Sequence, residues 1–123
     1  MSTELLHEGR DGRSVAQNLA TGRVELTFDW GVGGLVRLPN GLEMEDINTT
    51  TFSIVEGDPL SASVRCQMGG SFGRGEWQTR CETESVLTCD AEVFHVQSAL
   101  RAWEGDELVF EHTWRSDIPR DLV

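Results

Sequence analysis

Hydrophobic and polar residues alternate along most of this chain, and an alternation of period two is the signature of half-buried β-strands. Arg23–Trp30 sets Val24, Leu26, Phe28 and Trp30 against Glu25, Thr27 and Asp29. Leu42–Ile54 keeps Leu42, Met44, Phe52 and Ile54 in phase, with the β-branched run Thr49-Thr50-Thr51 suited to a pleated surface. Leu60–Met68 alternates Ala62, Val64, Cys66 and Met68 with Ser61, Ser63, Arg65 and Gln67. Three long antiparallel strands follow, roughly Trp77–Cys89, Ala91–Trp103 and Glu107–Arg115, with turns at Asp90 and at Glu104-Gly105-Asp106. Shorter strands are expected near Ser14–Leu19 and just before the turn Pro39-Asn40-Gly41. Helix signals are weak throughout, and Pro119 limits the one near Ser116–Leu122.

Registers follow from keeping apolar groups together. A tight turn at Asp90 sets Thr88 against Ala91, Ser85 against Phe94 and Trp77 against Ala102. A two-residue turn at Gly105-Asp106 would set Leu100 against Glu111. A three-residue turn sets Leu100 against Phe110 and Ala102 against Leu108, and is preferred because a one-residue slip turns every side chain to the other face. A hairpin loop over Gly69–Arg74 places Met68 opposite Gly75 and Cys66 opposite Trp77.

Four strands then agree on one apolar face: Ala62, Val64, Cys66, Met68; Trp77, Cys81; Phe94, Val96, Leu100, Ala102; and Leu108, Phe110, Trp114. The opposite face carries Arg65, Gln78, Arg80, Glu82, Glu84, His95, Gln97, Arg101, Glu111 and Arg115, as a solvated sheet face should. The expected fold is all-β, an antiparallel meander of about seven strands in a strongly curled sheet or barrel, with a two-sheet β-sandwich as the alternative. At 123 residues it is a single domain, 1–123, with residues 1–12 as a flexible arm.

Composition narrows the function. The net charge is −11 and every cation is an arginine, so a phosphate backbone is repelled and nucleic acid is not an expected partner. The amino terminus MSTELLHEGRDG lacks an apolar leader, and no run approaches the ~20 residues of a membrane span. The three cysteines, Cys66, Cys81 and Cys89, are odd in number and show no metal spacing; they point to a reducing cytoplasm, without a metal or other cofactor.

Candidate chemistry is sparse. Gly69-Gly70-Ser71-Phe72-Gly73 matches the G-x-S-x-G nucleophile elbow, which needs a strand before the serine and a helix after it. Here a strand follows, so the motif reads as a glycine-rich hairpin loop. Gly31-Val32-Gly33-Gly34 likewise has a strand behind it, where a phosphate cradle needs a helix. Glu84, His95 and Arg115 are expected as neighbours on the polar face, reading as a solvated charge ladder, with acid–base chemistry as the sharper alternative. The motif Gly75-Glu76-Trp77 matches the G-x-W that opens lipocalins but falls past mid-chain. Should the sheet enclose a cavity for an apolar small molecule, its ligand-binding lining would be Trp77, Phe94, Leu100, Phe110, His112 and Trp114.

Three segments taken together carry a family resemblance: Asp58-Pro59-Leu60-Ser61-Ala62; Gly73-Arg74-Gly75-Glu76-Trp77-Gln78-Thr79-Arg80-Cys81-Glu82-Thr83; and Asp90-Ala91-Glu92-Val93-Phe94-His95-Val96 with Ala102-Trp103-Glu104-Gly105-Asp106-Glu107, Phe110, Trp114 and the closing Ile118-Pro119-Arg120-Asp121. Over roughly residues 20–123 the chain resembles the carboxy-terminal region of α/β hydrolases similar to cocaine esterase and X-prolyl dipeptidyl peptidases, the CocE/NonD type. That family hydrolyses esters or amides with a Ser-Asp-His triad on a separate α/β domain, which has no counterpart here, so no catalytic residue carries over. The resemblance implies a non-catalytic β accessory domain that self-associates or docks to a hydrolase-like partner. The other readings are an apolar-ligand binder and a small hydrolase using Ser71, or Glu84 and His95.

Overall fold

The alternating segments become nine antiparallel strands in a computed structural model that describes residues 2–9, 11–30 and 34–121. They are β1 (Glu4–His7), β2 (Gly12–Asn18), β3 (Arg23–Asp29), β4 (Leu35–Arg37), β5 (Glu43–Val55), β6 (Asp58–Arg74), β7 (Trp77–Cys89), β8 (Val93–Glu104) and β9 (Glu107–Pro119). All belong to one sheet. No helix occurs among the described residues, so none is long and apolar enough to cross a membrane.

The strand count is nine rather than about seven because the first two rows of the meander are each broken once. β5 is bonded along one edge by β6 and along the other by β3 over Thr49–Val55 and by β4 at Glu43 and Met44. β2 pairs with β3 and β1 with β4. The ladders end at His7 opposite Leu35 and at Gly12 opposite Asp29, so four residues separate them on one strand and five on the other, and a register shift between Leu5 and His7 takes up the difference. Gly34 sits at this break. Its φ is +65°, and a Cβ there would stand 2.0 Å from the His7 carbonyl oxygen and 2.5 Å from the Gly9 nitrogen, so only glycine lets the rows approach. The rest of the glycine run before it, Gly31 to Gly33, lies outside the described residues. The first twelve residues, read as a flexible arm, contain β1 and the start of β2.

The sheet neither closes nor curls strongly, and the described residues form no second sheet; the barrel and the sandwich are both corrected. β9 and the β1/β2 row are its two edges and do not pair. Nearly every described residue belongs to this single layer, so no described segment covers its apolar side. Accordingly, no hydrophobic side chain is buried among the described residues. The accessible surface is 8923 Å², whereas a folded monomer of 13.7 kDa exposes about 6,600 Å² by the usual mass scaling.

Three expected registers shift, each by an even number of residues. Ser85 faces Ser98 rather than Phe94, because Asp90 builds a wider turn: its side chain accepts the N–H groups of Glu92 and Val93, each at 2.8 Å. β6 continues through the expected hairpin loop to a two-residue turn at Gly75-Glu76, where Gly75 takes φ +61°, so Cys66 faces Ser85 and not Trp77. Gly105-Asp106 does form the two-residue turn, setting Glu104 against Glu107. A β-bulge at Val109 then restores the phase, so Ala102 faces Phe110 and Leu100 faces His112. Even shifts preserve the face of every side chain. The exception is Leu108, which opposes Trp103 and so leaves the apolar side expected for it.

Candidate functional site

The apolar face is the candidate site. On β6 to β9 its registered positions are Val64, Cys66, Met68 and Phe72; Cys81 and Leu87; Phe94, Val96, Leu100 and Ala102; and Phe110, Trp114 and Ile118. β5 and β3 extend it through Phe52, Ile54, Val24, Leu26 and Phe28. Charges on this face of β6 to β9 stand at strand ends, at Arg74, Glu104 and Glu107. Its central polar groups satisfy one another: the Ser85 and Ser98 hydroxyls lie 2.8 Å apart.

All six residues expected to line a ligand cavity fall on this face, but they do not converge. Phe110, His112 and Trp114 run along β9, with ring centroids 6.5 Å and 4.5 Å apart in succession, and Leu100 lies opposite His112. Trp77 sits at the Gly75-Glu76 end of β7, whereas Phe94, paired with Cys89, is at the other end. An apolar groove of about 350 Å³ is lined by Val24, Leu26, Phe52, Ile54, Val64, Leu87 and Phe94, and so takes in one of the six. Beside it Phe52 meets Phe28 edge-on, at 6.1 Å between centroids. The alternation in Arg23–Trp30 and Leu42–Ile54 carried this signal; pairing those two segments would have found the groove.

On the polar face the expected neighbours Glu84, His95 and Arg115 line one shallow depression, yet His95 contacts neither of the others. The four-residue shift moves Glu84 opposite Ala99, where it meets Arg65 at 3.8 Å. His95 is held instead by Asp117 (Nδ1 to Oδ1, 2.7 Å) and Asp90 (Nε2 to Oδ2, 2.9 Å). Both carboxylates can only accept, so satisfying both contacts requires two ring N–H donors, an imidazolium. The hydrogen bond to Asp117, then that to Asp90, raises the His95 pKa. The backbone N–H of Glu92 does most to hold Asp90 down, at about 2, followed by His95 and the N–H of Val93. Arg120 completes the cluster: its Nη1 donates to the Asp90 carbonyl at 2.8 Å, its backbone N–H donates to the Glu92 carbonyl at 2.8 Å, and its guanidinium lies 4.9 Å from the Phe94 ring centroid. This cluster fastens the end of β9 to the β7–β8 turn.

Ser71 lies within β6, opposite Glu45 and Arg80 on the polar face, with strand on both sides. His112 is on the other face. The two cannot act together, and nothing here builds a nucleophile elbow. Cys66, Cys81 and Cys89 are unpaired thiols. Compared with known proteins, the chain matches no protein-family model, no curated protein and no solved structure.

Proposed function

We propose that this chain is a non-catalytic β interaction domain that lays its apolar face on a hydrolase-like partner in the cytoplasm. The observation that carries the reading is the uncovered face. An excess of about 2,300 Å² over a typical monomer of this mass exceeds the surface that one partner contributes to a standard protein interface, about 800 Å². Contiguous exposed apolar faces mark interaction sites. The resemblance to the carboxy-terminal region of cocaine-esterase-type hydrolases names the partner class. In its support, the two ends of the last segment that carries the resemblance meet in space: Asp90 to His95 and Ile118 to Asp121 are joined through the Asp90–His95–Asp117–Arg120 cluster. Unpaired thiols suit a reducing compartment, and the −11 charge disfavours nucleic acid.

The test is titration of the chain with the separately expressed catalytic domain of a CocE/NonD-type hydrolase. Saturable association is expected, with loss of hydrophobic-dye binding by the chain. Substitutions on the apolar face should weaken association; substitutions on the polar face should not. Association indifferent to the apolar face refutes the docking.

The groove beside Phe52 favours a second reading, the binding of an apolar small molecule. Its volume is at the lower end of ligand pockets. Stoichiometric binding of a long-chain fatty acid, abolished by Phe52→Thr and unaffected by changes near Trp114, would favour it over docking.

A further inference from the structure

The open edge of β9 carries an inference that does not depend on what covers the apolar face. β9 pairs only with β8, and all of its 13 residues are exposed. Unpaired edges of this length template the addition of another strand. The opposite edge is poorer, being divided between β1 (4 residues) and β2 (7 residues). On β9 the bulge at Val109 and the ring of Pro119 bound the stretch available for pairing.

We propose that this edge joins two copies of the chain through antiparallel β9–β9 pairing about a two-fold axis at Thr113. A two-fold pairing that keeps each side chain opposite one of its own face must centre on a residue rather than between residues. Centred on Trp114, it would set Glu111 against the partner's Asp117, two like charges directly opposed. Centred on His112, it brings no opposite charges together. Centred on Thr113, it sets Glu111 against the partner's Arg115 and Arg115 against the partner's Glu111, while His112 meets the partner's Trp114 on the apolar side. Arg115 has no ion-pair partner among the described residues, and Glu111 is held in place by Arg101 Nε at 3.1 Å. The pairing consumes both β9 edges and leaves the short, broken β1/β2 rows outermost, so assembly stops at two. It also places both apolar faces on the same side of one continuous sheet.

Sedimentation velocity of the full chain tests this, with circular dichroism confirming strand content. The wild-type chain is expected to be a dimer. Arg115→Glu and Glu111→Arg each turn two attractive contacts into two repulsive ones and should weaken association on the order of thirtyfold. Mixed in equal amounts, the two variants regain both Glu–Arg pairs and should associate with each other. Thr113→Cys should form a disulfide between the two Cys-substituted positions on oxidation, mapped by mass spectrometry, and this readout stands even if a charge variant misfolds. A monomeric wild type, dimers that persist in both charge variants, a mixture that does not associate, or no linkage at position 113 overturns the proposal. Dimers that persist in both would place the contact on the apolar face instead, a result separable from docking to a hydrolase domain.

Discussion

Replacing Phe52, Leu87 and Phe110 by threonine distinguishes an exposed apolar face from a hidden core. Threonine keeps the branching that strands favour while removing most of the apolar surface. The three side chains are 44%, 38% and 50% exposed. Full burial of such a side chain stabilises by about 1.5–3 kcal/mol, so the exposed part of each holds about 1 kcal/mol for a partner. Together they hold about 3 kcal/mol, roughly 150-fold in affinity. The part already buried within the sheet is of similar size, and Phe52 also loses its edge-on contact with Phe28, so the isolated chain should lose about 3–4 kcal/mol of its own stability. A core triple substitution would cost far more, at 2–5 kcal/mol for each large-to-small change. The assay is urea unfolding followed by circular dichroism, with anilinonaphthalene sulfonate fluorescence in the absence of urea. Dye binding should fall while the strand spectrum survives. Complete loss of structure would show that these residues are covered in solution, and undiminished dye binding would show that the face is not where the dye binds; either refutes the single-layer reading.

The cluster at the end of β9 should respond to pH with a defined sign. His95 is raised above its ordinary 6.5, so its contribution is fully present below that value and is lost as pH rises through the raised pKa; Asp90, lowered to about 2 from 3.8, contributes fully above 3.8 and loses that contribution as pH falls through about 2. Amide protection of Ser116 to Ile118, after correction for intrinsic exchange, should therefore be greatest between about 4 and 6.5, and His95→Gln should abolish its decline on the alkaline side. Gly34→Ala should cost about 1–2 kcal/mol for a left-handed alanine, and the Cβ collision with the His7 carbonyl should push β1 off β4. Hydrogen exchange would then show protection lost at Leu5 to His7 and retained in β6 to β8.

The faces of β6 to β9 were legible because the side-chain period is two and every register shift but that of Leu108 was even, so Val64, Leu100 and Trp114 are on the expected side although their partners are not. Pairing partners were not legible because turns set them through details that alternation does not encode. The Asp90 carboxylate widened one turn, and the Val109 bulge corrected another. The glycines of β6 mimicked a loop. In the structure they are strand residues, Gly69 opposite Ile47, Gly70 opposite Asp46 and Gly73 opposite Glu43. His95 was correctly placed on the polar side, but its true partners, Asp90 and Asp117, depended on the turn that was misjudged. Whether the sheet closes is a global property. Alternation reports which side of a strand is apolar and nothing about what covers it.

The paired breaks in the first two rows set one corner of the sheet, β1 with β4, apart from the β2–β3 ladder. There β1 holds β4 at three registered positions and β4 holds β5 at two, so this corner is tied on by far fewer bonds than the long ladders of β5 to β9. The corner should therefore peel and reclose as a small flap while the broad ladders stay intact. Anything that settles across the whole sheet would meet a surface with one compliant corner, able to tilt and conform at its margin without strain passing to the rest.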